Sequence, residues 1–140
     1  MSEQSLDELL EAAITARQKS HAPFSRFKVG AAVRGSSGTI YTGANIESSS
    51  YGLTICAERL ALSIAIHSGE DDISEIAVVC STKGAPGPCG ACRQFMVDFA
   101  PDATVLMSNL QGQQRTATVS ELMPWSFGPR DLPEAERPKD

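Results

Sequence analysis

Three cysteines and one glutamate are the residues of this chain whose types and spacing suggest chemistry. Cys89 and Cys92 lie three positions apart in GPCGACRQF, and Cys56 precedes Glu58 by two positions in TICAERLA. A C-x-x-C pair is compatible with a redox couple, with half of a disulfide, or with two ligands of a metal. The pair alone leaves these three interpretations open.

The third thiol, Cys56, favours the metal interpretation. Cys56 and the Cys89/Cys92 pair are both predicted at helix N-termini, whose positive end stabilises thiolates. Three thiolates facing one point predict a tetrahedral zinc site, one Zn²⁺ per chain, with an open corner typical of catalytic zinc. Glu58 can reach that corner without being a ligand, which suits a proton shuttle.

Other candidate ligands are not assigned to the metal. Cys80 in EIAVVCS is expected to be a small buried hydrophobic residue rather than a fourth ligand. His67 falls in the last turn of a predicted helix, and His21 has no spacing partner. Arg59 is expected to donate hydrogen bonds to the sulfurs and offset their charge, the alternative being an ordinary helix-surface position.

These residues need helices that bring them together, and hydrophobic periodicity predicts such helices between strands. Helices are predicted at Leu6–Lys19, from Thr54 or Ile55 to His67, and in CGACRQFMVDF. Strands are predicted as a hairpin in KVGAAVRGSSGTIYTGANIE and in EIAVVCS, ATVLMSN and QRTATV. Ser5 and Glu8 are predicted to form a capping box.

The order of these elements predicts an α/β fold, a mixed sheet with helices packed on it. Alternation of helix and strand in the second half predicts parallel pairing there. With 140 residues in all, residues 1–132 are expected to form one domain. Residues 133–140 are expected to be a polar, mobile tail.

Composition bears on the class of partner. The net charge is −5 and the basic residues are scattered, which argues against a nucleic-acid substrate and for a small molecule. No apolar run approaches the length of a membrane span, and the first residues lack signal-peptide features. We therefore expect a soluble, cytoplasmic protein with no membrane partner.

The motifs CAER and PCGAC, with APFSRFKVGAAV, TGANIE, SYGLTICAER and SFGPRDL, give the chain a resemblance to a known family. It resembles the zinc-dependent cytidine deaminases that act on free nucleosides, the small homotetrameric kind. The resemblance implies a three-layer αβα fold with a five-stranded mixed sheet. It implies hydrolytic deamination of cytidine and 2′-deoxycytidine in pyrimidine salvage.

The resemblance also implies roles for individual residues. Glu58 is the catalytic residue, moving a proton from water to the base and later to the departing amino group. Phe27 stacks on the pyrimidine, and Asn45 and Glu47 hold the ribose hydroxyls, as a polar pair at a strand end can do. Backbone groups near Ala57 and Cys89 read the base edge. Phe127 closes the pocket of a neighbouring subunit, so active sites are shared in a homotetramer.

The chain departs from the family at two segments, one of which is ESSSYG, more serine-rich than expected after the ribose-binding pair, and rival functions remain. The family usually has YxPYS where this chain has His21-Ala22-Pro23-Phe24-Ser25, which removes two phenolic hydroxyls. The nearest rival is a deaminase of a nucleoside-like antibiotic such as blasticidin S. A polynucleotide deaminase and a non-catalytic zinc module are the others. An uncoordinated Glu58 argues against the last.

Overall fold

A five-stranded mixed sheet forms the centre of the computed structural model, which describes residues 2–133. The strands are β1 (Val29–Gly35), β2 (Ile40–Ala44), β3 (Ile73–Cys80), β4 (Thr104–Asn109) and β5 (Gln114–Thr118). They lie in the order β2-β1-β3-β4-β5. β3 and β4 pair in parallel and the other neighbours are antiparallel. The predicted hairpin, parallel pair and fifth strand are confirmed.

Helices cover both faces of this sheet. They are α1 (Glu3–Arg17), α2 (Ala57–His67), α3 (Gly90–Phe99) and the short α4 (Val119–Leu122), with 3₁₀ turns at Tyr51–Leu53 and Pro129–Asp131. Leu9 and Ala13 of α1 pack against one face of the sheet. Leu62 of α2 and Met96 of α3 pack against the other. The predicted three-layer αβα arrangement is therefore confirmed.

The central strands explain why two helical layers are needed. β1 and β3 alternate between the two hydrophobic clusters, since Ala31 and Val78 belong to one and Ala32 and Val79 to the other. A strand buried on both faces requires a nearly continuous apolar run, which EIAVVC supplies. The core thus places α2 and α3 side by side on one face, where their N-termini can meet.

A glycine in β2 sets the position of the first turn of α2. A Cβ at Gly43 would lie 2.6 Å from the carbonyl oxygen of Ala57 and 2.7 Å from the backbone nitrogen of Ala61. Both contacts are to backbone atoms, so a larger residue would force the helix away from the sheet. Gly43 therefore allows the start of α2, which carries Cys56 and Glu58, to lie close to the sheet.

The predicted capping box of Ser5 and Glu8 is wrong. Helix α1 begins at Glu3, and its N-cap is Ser2, whose Oγ accepts from the Ser5 backbone N–H at 3.1 Å. The Ser5 hydroxyl instead donates to the Glu75 carboxylate of β3 at 3.0 Å. Because the Ser5 hydroxyl bonds to Glu75 of a distant strand, it does not cap α1 as the local sequence predicts.

Helix α2 begins later than the predicted Thr54 or Ile55. Its N-cap is Cys56. Residues 54 and 55 are extended because Ile55 and Ile46 exchange two backbone hydrogen bonds of 2.9 Å, an isolated antiparallel bridge. This bridge links the end of the hairpin to the start of the segment that carries Cys56 and Glu58.

Two expectations concern other parts of the chain. Except for Pro133, the predicted tail at 133–140 lies outside the described residues, and the 1–132 domain boundary stays a prediction. Among residues 2–133, no helix is long and apolar enough to cross a membrane.

Candidate active site

Three thiols meet where α2 and α3 begin. Cys56 is the N-cap of α2, Cys89 is the N-cap of α3, and Cys92 lies in the first turn of α3. The Cys56 and Cys89 sulfurs are 3.9 Å apart, and those of Cys89 and Cys92 are 3.5 Å apart. Neither N-cap side chain caps its helix. The thiols are therefore directed at one another near two positive helix ends.

The spacing of these thiols fits a zinc ion. All three sulfurs lie within 4.8 Å of one another. Zn–S bonds of about 2.3 Å in a tetrahedron place sulfurs about 3.8 Å apart, close to the observed distances. Cys80 is buried but lies outside this group, next to the Thr82 hydroxyl. Cys80 therefore does not complete a closed four-thiol site, as expected from the sequence.

Arg59 supplies positive charge beside the cluster. Its Nη2 donates to the Cys56 sulfur at 3.5 Å and to the Thr54 carbonyl at 3.3 Å. Interaction with the Cys92 thiol and with Arg59 lowers the pKa of Cys56 to about 5. The same pairing with Cys56 raises the pKa of Cys92. The cluster thus favours a thiolate at Cys56, next to the guanidinium.

Glu58 is a buried carboxylate beside this cluster. Its side chain lies in the first turn of α2, and the residue is only 5% exposed. Burial raises the pKa of Glu58, because the charged form loses its hydration. Glu58 is not one of the grouped ligands. A carboxyl in this position is available to hold and release a proton.

A cavity of about 280 Å³ opens onto Cys56, Cys89 and Glu58. It is lined by Ser25, Phe27, Val29, Asn45, Glu47, Thr54, Cys56, Ala57, Glu58 and Cys89. A larger cavity of about 420 Å³ adjoins it and shares Ser25, Glu47 and Thr54. The larger cavity has neither thiols nor Glu58 among its lining residues, so we assign the chemistry to the smaller one.

Most of the described chain matches one known protein family. Residues 3–108 match the family model described as the cytidine and deoxycytidylate deaminase zinc-binding region. The chain belongs to this family. The matched region includes all three clustered cysteines and Glu58, and zinc is the metal that the three-thiol donor set suits.

Individual deaminases resemble the chain over most of its length. A cytidine deaminase of Halalkalibacterium halodurans is 50% identical over 125 residues, covering 89% of this chain and 95% of the relative. The crystal structure of cytidine deaminase from Burkholderia pseudomallei gives a TM-score of 0.85 at 43% identity, covering 91% and 100%. The Mycobacterium tuberculosis cytidine deaminase structure gives 0.77 at 31% identity, covering 88% and 97%. The chain therefore shares the fold of solved deaminases.

Asn45, predicted to bind substrate in this deaminase, lies just past the end of β2 at the cavity wall. The residue is 8% exposed. Its side-chain oxygen accepts from the Val29 N–H at 2.9 Å and the Ser20 hydroxyl at 2.5 Å. Its amide donates to the Phe27 carbonyl at 2.7 Å. These bonds fix the side chain and leave one amide hydrogen without a partner among them.

Glu47 is also fixed by hydrogen bonds, from residues 24 and 25. Its Oε1 accepts from the Phe24 and Ser25 N–H groups at 2.9 and 3.1 Å, and its Oε2 accepts from the Ser25 hydroxyl. The Ser25 hydroxyl bond is the largest cause that lowers the pKa of Glu47. The Ser25 oxygen also accepts from the Phe27 N–H at 3.0 Å. Ser25 thus connects Glu47 to Phe27, a role that sequence reasoning missed.

Phe127 is the one predicted substrate-binding residue that does not line the cavity. It lies beyond α3, 61% exposed, with its carbonyl accepting from the Gln94 side chain at 2.8 Å. It also lies outside the matched region 3–108. Its predicted contact is with a neighbouring subunit, so its absence from this chain's own cavity leaves that prediction untested.

Proposed function

We propose that this chain hydrolyses cytidine and 2′-deoxycytidine to uridine and 2′-deoxyuridine with release of ammonia. The observation that carries the proposal is the buried Glu58 carboxyl, lining one cavity with two of the three clustered thiols. Relatives that match over most of the chain are named cytidine deaminases. A purely structural zinc site has no need of an uncoordinated acid in its cavity.

The three thiols would hold the zinc ion, with Cys92 fully buried and Cys89 exposed. Bound there, Zn²⁺ supplies a Lewis acid that makes water nucleophilic at neutral pH. Arg59 offsets the charge of the thiolates through its contact with Cys56. A three-thiolate donor set needs this offset, since the sulfurs together outweigh the charge of the metal.

Glu58 moves the protons of the reaction. It takes a proton from the attacking water and delivers one to N3 of the base, which makes C4 more electrophilic. After the water oxygen bonds to C4, Glu58 takes the second proton from the resulting C4 hydroxyl and delivers it to the amino group as the C4–N4 bond breaks. The raised pKa of Glu58 suits a group that must both accept and donate a proton near neutral pH.

The remaining cavity residues would orient the nucleoside. Phe27 offers an aromatic face for the pyrimidine, and Asn45 and Glu47 offer fixed polar groups to the ribose hydroxyls. Backbone groups at Ala57 and Cys89 stand at the helix starts, where their hydrogen bonds can read the base edge.

The charge of the cavity favours a nucleoside over a nucleotide. No Lys, Arg or His is among its lining residues within the described part of the chain, and Glu47 adds a carboxylate. A 5′-phosphate there would lack a cationic partner and would face that carboxylate. This supports free cytidine rather than deoxycytidylate, which the family description also includes.

We propose that the enzyme works as a cytoplasmic homotetramer in pyrimidine salvage, with Phe127 closing a neighbour's cavity. Exposed apolar side chains support the assembly. They include Tyr51, Leu53, Trp125 and Phe127, which a monomer would leave in water. Light scattering of the purified protein gives the subunit number, and a monomer with full activity would contradict shared sites.

The test is ultraviolet absorbance of the purified protein with cytidine, deoxycytidine, deoxycytidylate or blasticidin S, with zinc counted per chain. We expect loss of cytidine and deoxycytidine absorbance and about one zinc per chain. Turnover of blasticidin S alone would assign the enzyme to the antibiotic, and turnover of deoxycytidylate alone to the nucleotide. Zinc without any turnover would indicate a non-catalytic module.

A further inference from the structure

Arg93 follows the buried Cys92 directly, and its side chain turns back toward Cys89. Its Nε donates to the Pro88 carbonyl at 2.7 Å, and its Nη1 donates to the Leu122 carbonyl at 2.8 Å. Its backbone N–H donates to the Cys89 carbonyl at 3.0 Å. Arg93 therefore binds the carbonyls on both sides of the Cys89 Cα. Its side chain binds the Pro88 carbonyl and its backbone N–H binds the Cys89 carbonyl.

This contact matters because Cys89 is the exposed thiol of the three. Cys92 is held by the body of α3, whereas Cys89 joins α3 to an irregular segment, 81–88. The Pro88 carbonyl and the Cys89 nitrogen belong to one planar peptide group. Fixing that carbonyl therefore fixes the plane from which the Cys89 side chain departs.

Gly87 makes room for this arrangement. A Cβ at Gly87 would lie 2.8 Å from Nη2 of Arg93. Gly87 is not among the residues with positive φ, so alanine is compatible with its backbone there. The clash would fall on the end of a flexible side chain, so Gly87→Ala should displace the guanidinium while the fold is kept.

We propose that Arg93 is a positioning residue for the metal: it orients the Cys89 thiolate and thereby slows loss of zinc. It differs from Arg59, which contacts the Cys56 sulfur itself. The proposal rests on zinc binding at the three thiols, as in the proposed function, and needs no assumption about the substrate. Substitution of residues that orient metal ligands typically weakens metal binding roughly 10–100-fold.

The test measures zinc release from the loaded full-length protein to a chromogenic chelator, far below the unfolding temperature. We expect Arg93→Gln to release zinc about 10-fold faster or more. Arg93→Lys keeps the charge but cannot bind the Pro88 and Leu122 carbonyls together as the guanidinium does. Its rate of zinc release should therefore lie between those of Arg93→Gln and the parent. Gly87→Ala should also speed release, and adding it to Arg93→Gln should change little, because both act through the same guanidinium.

A matched control is Arg17→Gln. The Arg17 Nε also donates to a backbone carbonyl, that of Lys28 at 3.0 Å, and Arg17 is not among the cavity residues. We expect this variant to lower the melting temperature without changing zinc release. With Co²⁺ in place of zinc, the thiolate-to-metal absorption should shift in Arg93→Gln and not in Arg17→Gln.

Two results overturn the proposal: zinc release at the parent rate from Arg93→Gln with an unchanged cobalt spectrum, or equal acceleration in Arg17→Gln. Should Arg93→Gln fail to fold, Arg93→Lys and Gly87→Ala decide the matter by the same criteria. A parent protein that holds zinc but leaves cytidine unchanged would refute the proposed function and not this inference. A parent that binds no zinc would refute both.

Discussion

Replacing Glu58 by glutamine separates the proton-transfer role of this side chain from its packing role. Glutamine has nearly the same shape but cannot accept and return a proton at neutral pH. One positioned acid or base typically contributes about 10²–10⁴-fold to a rate, and Glu58 is proposed to act in successive proton transfers. We therefore expect kcat to fall about 10⁴-fold, equivalent to about 5.4 kcal/mol in the activation barrier.

The same substitution should leave the fold and the zinc content unchanged. Glu58 is 5% exposed, and burial already disfavours its charged form, as its raised pKa indicates. A neutral amide in that position avoids the cost of a buried charge. We expect a melting temperature at or slightly above that of the parent and about one zinc per chain, measured by calorimetry and metal analysis.

Glu75→Gln is the matched control because Glu75 is also buried, at 2% exposure, but lies away from the cavity. Its Oε1 pairs with Nε of Arg34 at 3.0 Å and accepts from the Ser5 hydroxyl. Weakening this buried pair should cost about 2–4 kcal/mol of folding free energy and leave kcat unchanged. Near-parent kcat in Glu58→Gln, or a kcat loss of similar size in both variants, would refute the reasoning.

Three further predictions concern the substrate cavity and the metal. Hydrogen bonds from Ser25 lower the pKa of Glu47 below its ordinary 4.5, so their stabilisation is present above that pH and lost as pH falls through the lower folded value. In Ser25→Ala the pKa of Glu47 should move up toward 4.5, and most of this stabilisation should be absent. NMR titration of the labelled carboxyl measures the pKa, and an unmoved titration contradicts the assignment. Phe27→Ala should raise KM roughly 5–150-fold with zinc content kept, since stacking on a base contributes about 1–3 kcal/mol; an unchanged KM excludes stacking. Chelation of zinc should lower the melting temperature by roughly 10 °C, reversed by added zinc, because a ligand at a thousandfold excess over its Kd stabilises by about 4 kcal/mol; an unchanged melting temperature would mean that the metal does not bind the folded state.

Much of the fold was predictable because the hydrophobic pattern of each short segment indicates whether it forms a helix or a strand. The run EIAVVC has the continuous apolar character of a strand buried on both faces, and it is β3. A helix between two strands requires a crossover, and β3 and β4 are indeed parallel. The thiols were predictable from spacing, because Cys89 and Cys92 lie one helical turn apart.

The sequence did not predict contacts made between a side chain and a distant backbone group. The Ser5 hydroxyl binds Glu75, seventy positions away, and so does not cap its own helix. The bridge between Ile46 and Ile55 delays the start of α2. The bond of Arg93 to the Leu122 carbonyl depends on where α4 packs. Such contacts leave no periodic signal in the sequence, so only the assembled fold reveals them.

Cys56 and Cys89 occupy the N-cap positions of two helices without capping them. Serine, threonine, aspartate or asparagine at an N-cap typically stabilises a protein by about 1 kcal/mol relative to a residue that makes no cap bond. The chain therefore forgoes roughly 2 kcal/mol at these two positions to present thiols. Bound zinc, at about 4 kcal/mol for a thousandfold excess over its Kd, outweighs this loss. Serine or aspartate at either position would therefore stabilise only the metal-free protein. Selection for stability alone thus keeps both cysteines wherever zinc is available, even in a duplicated copy of this gene that is freed from selection for deamination.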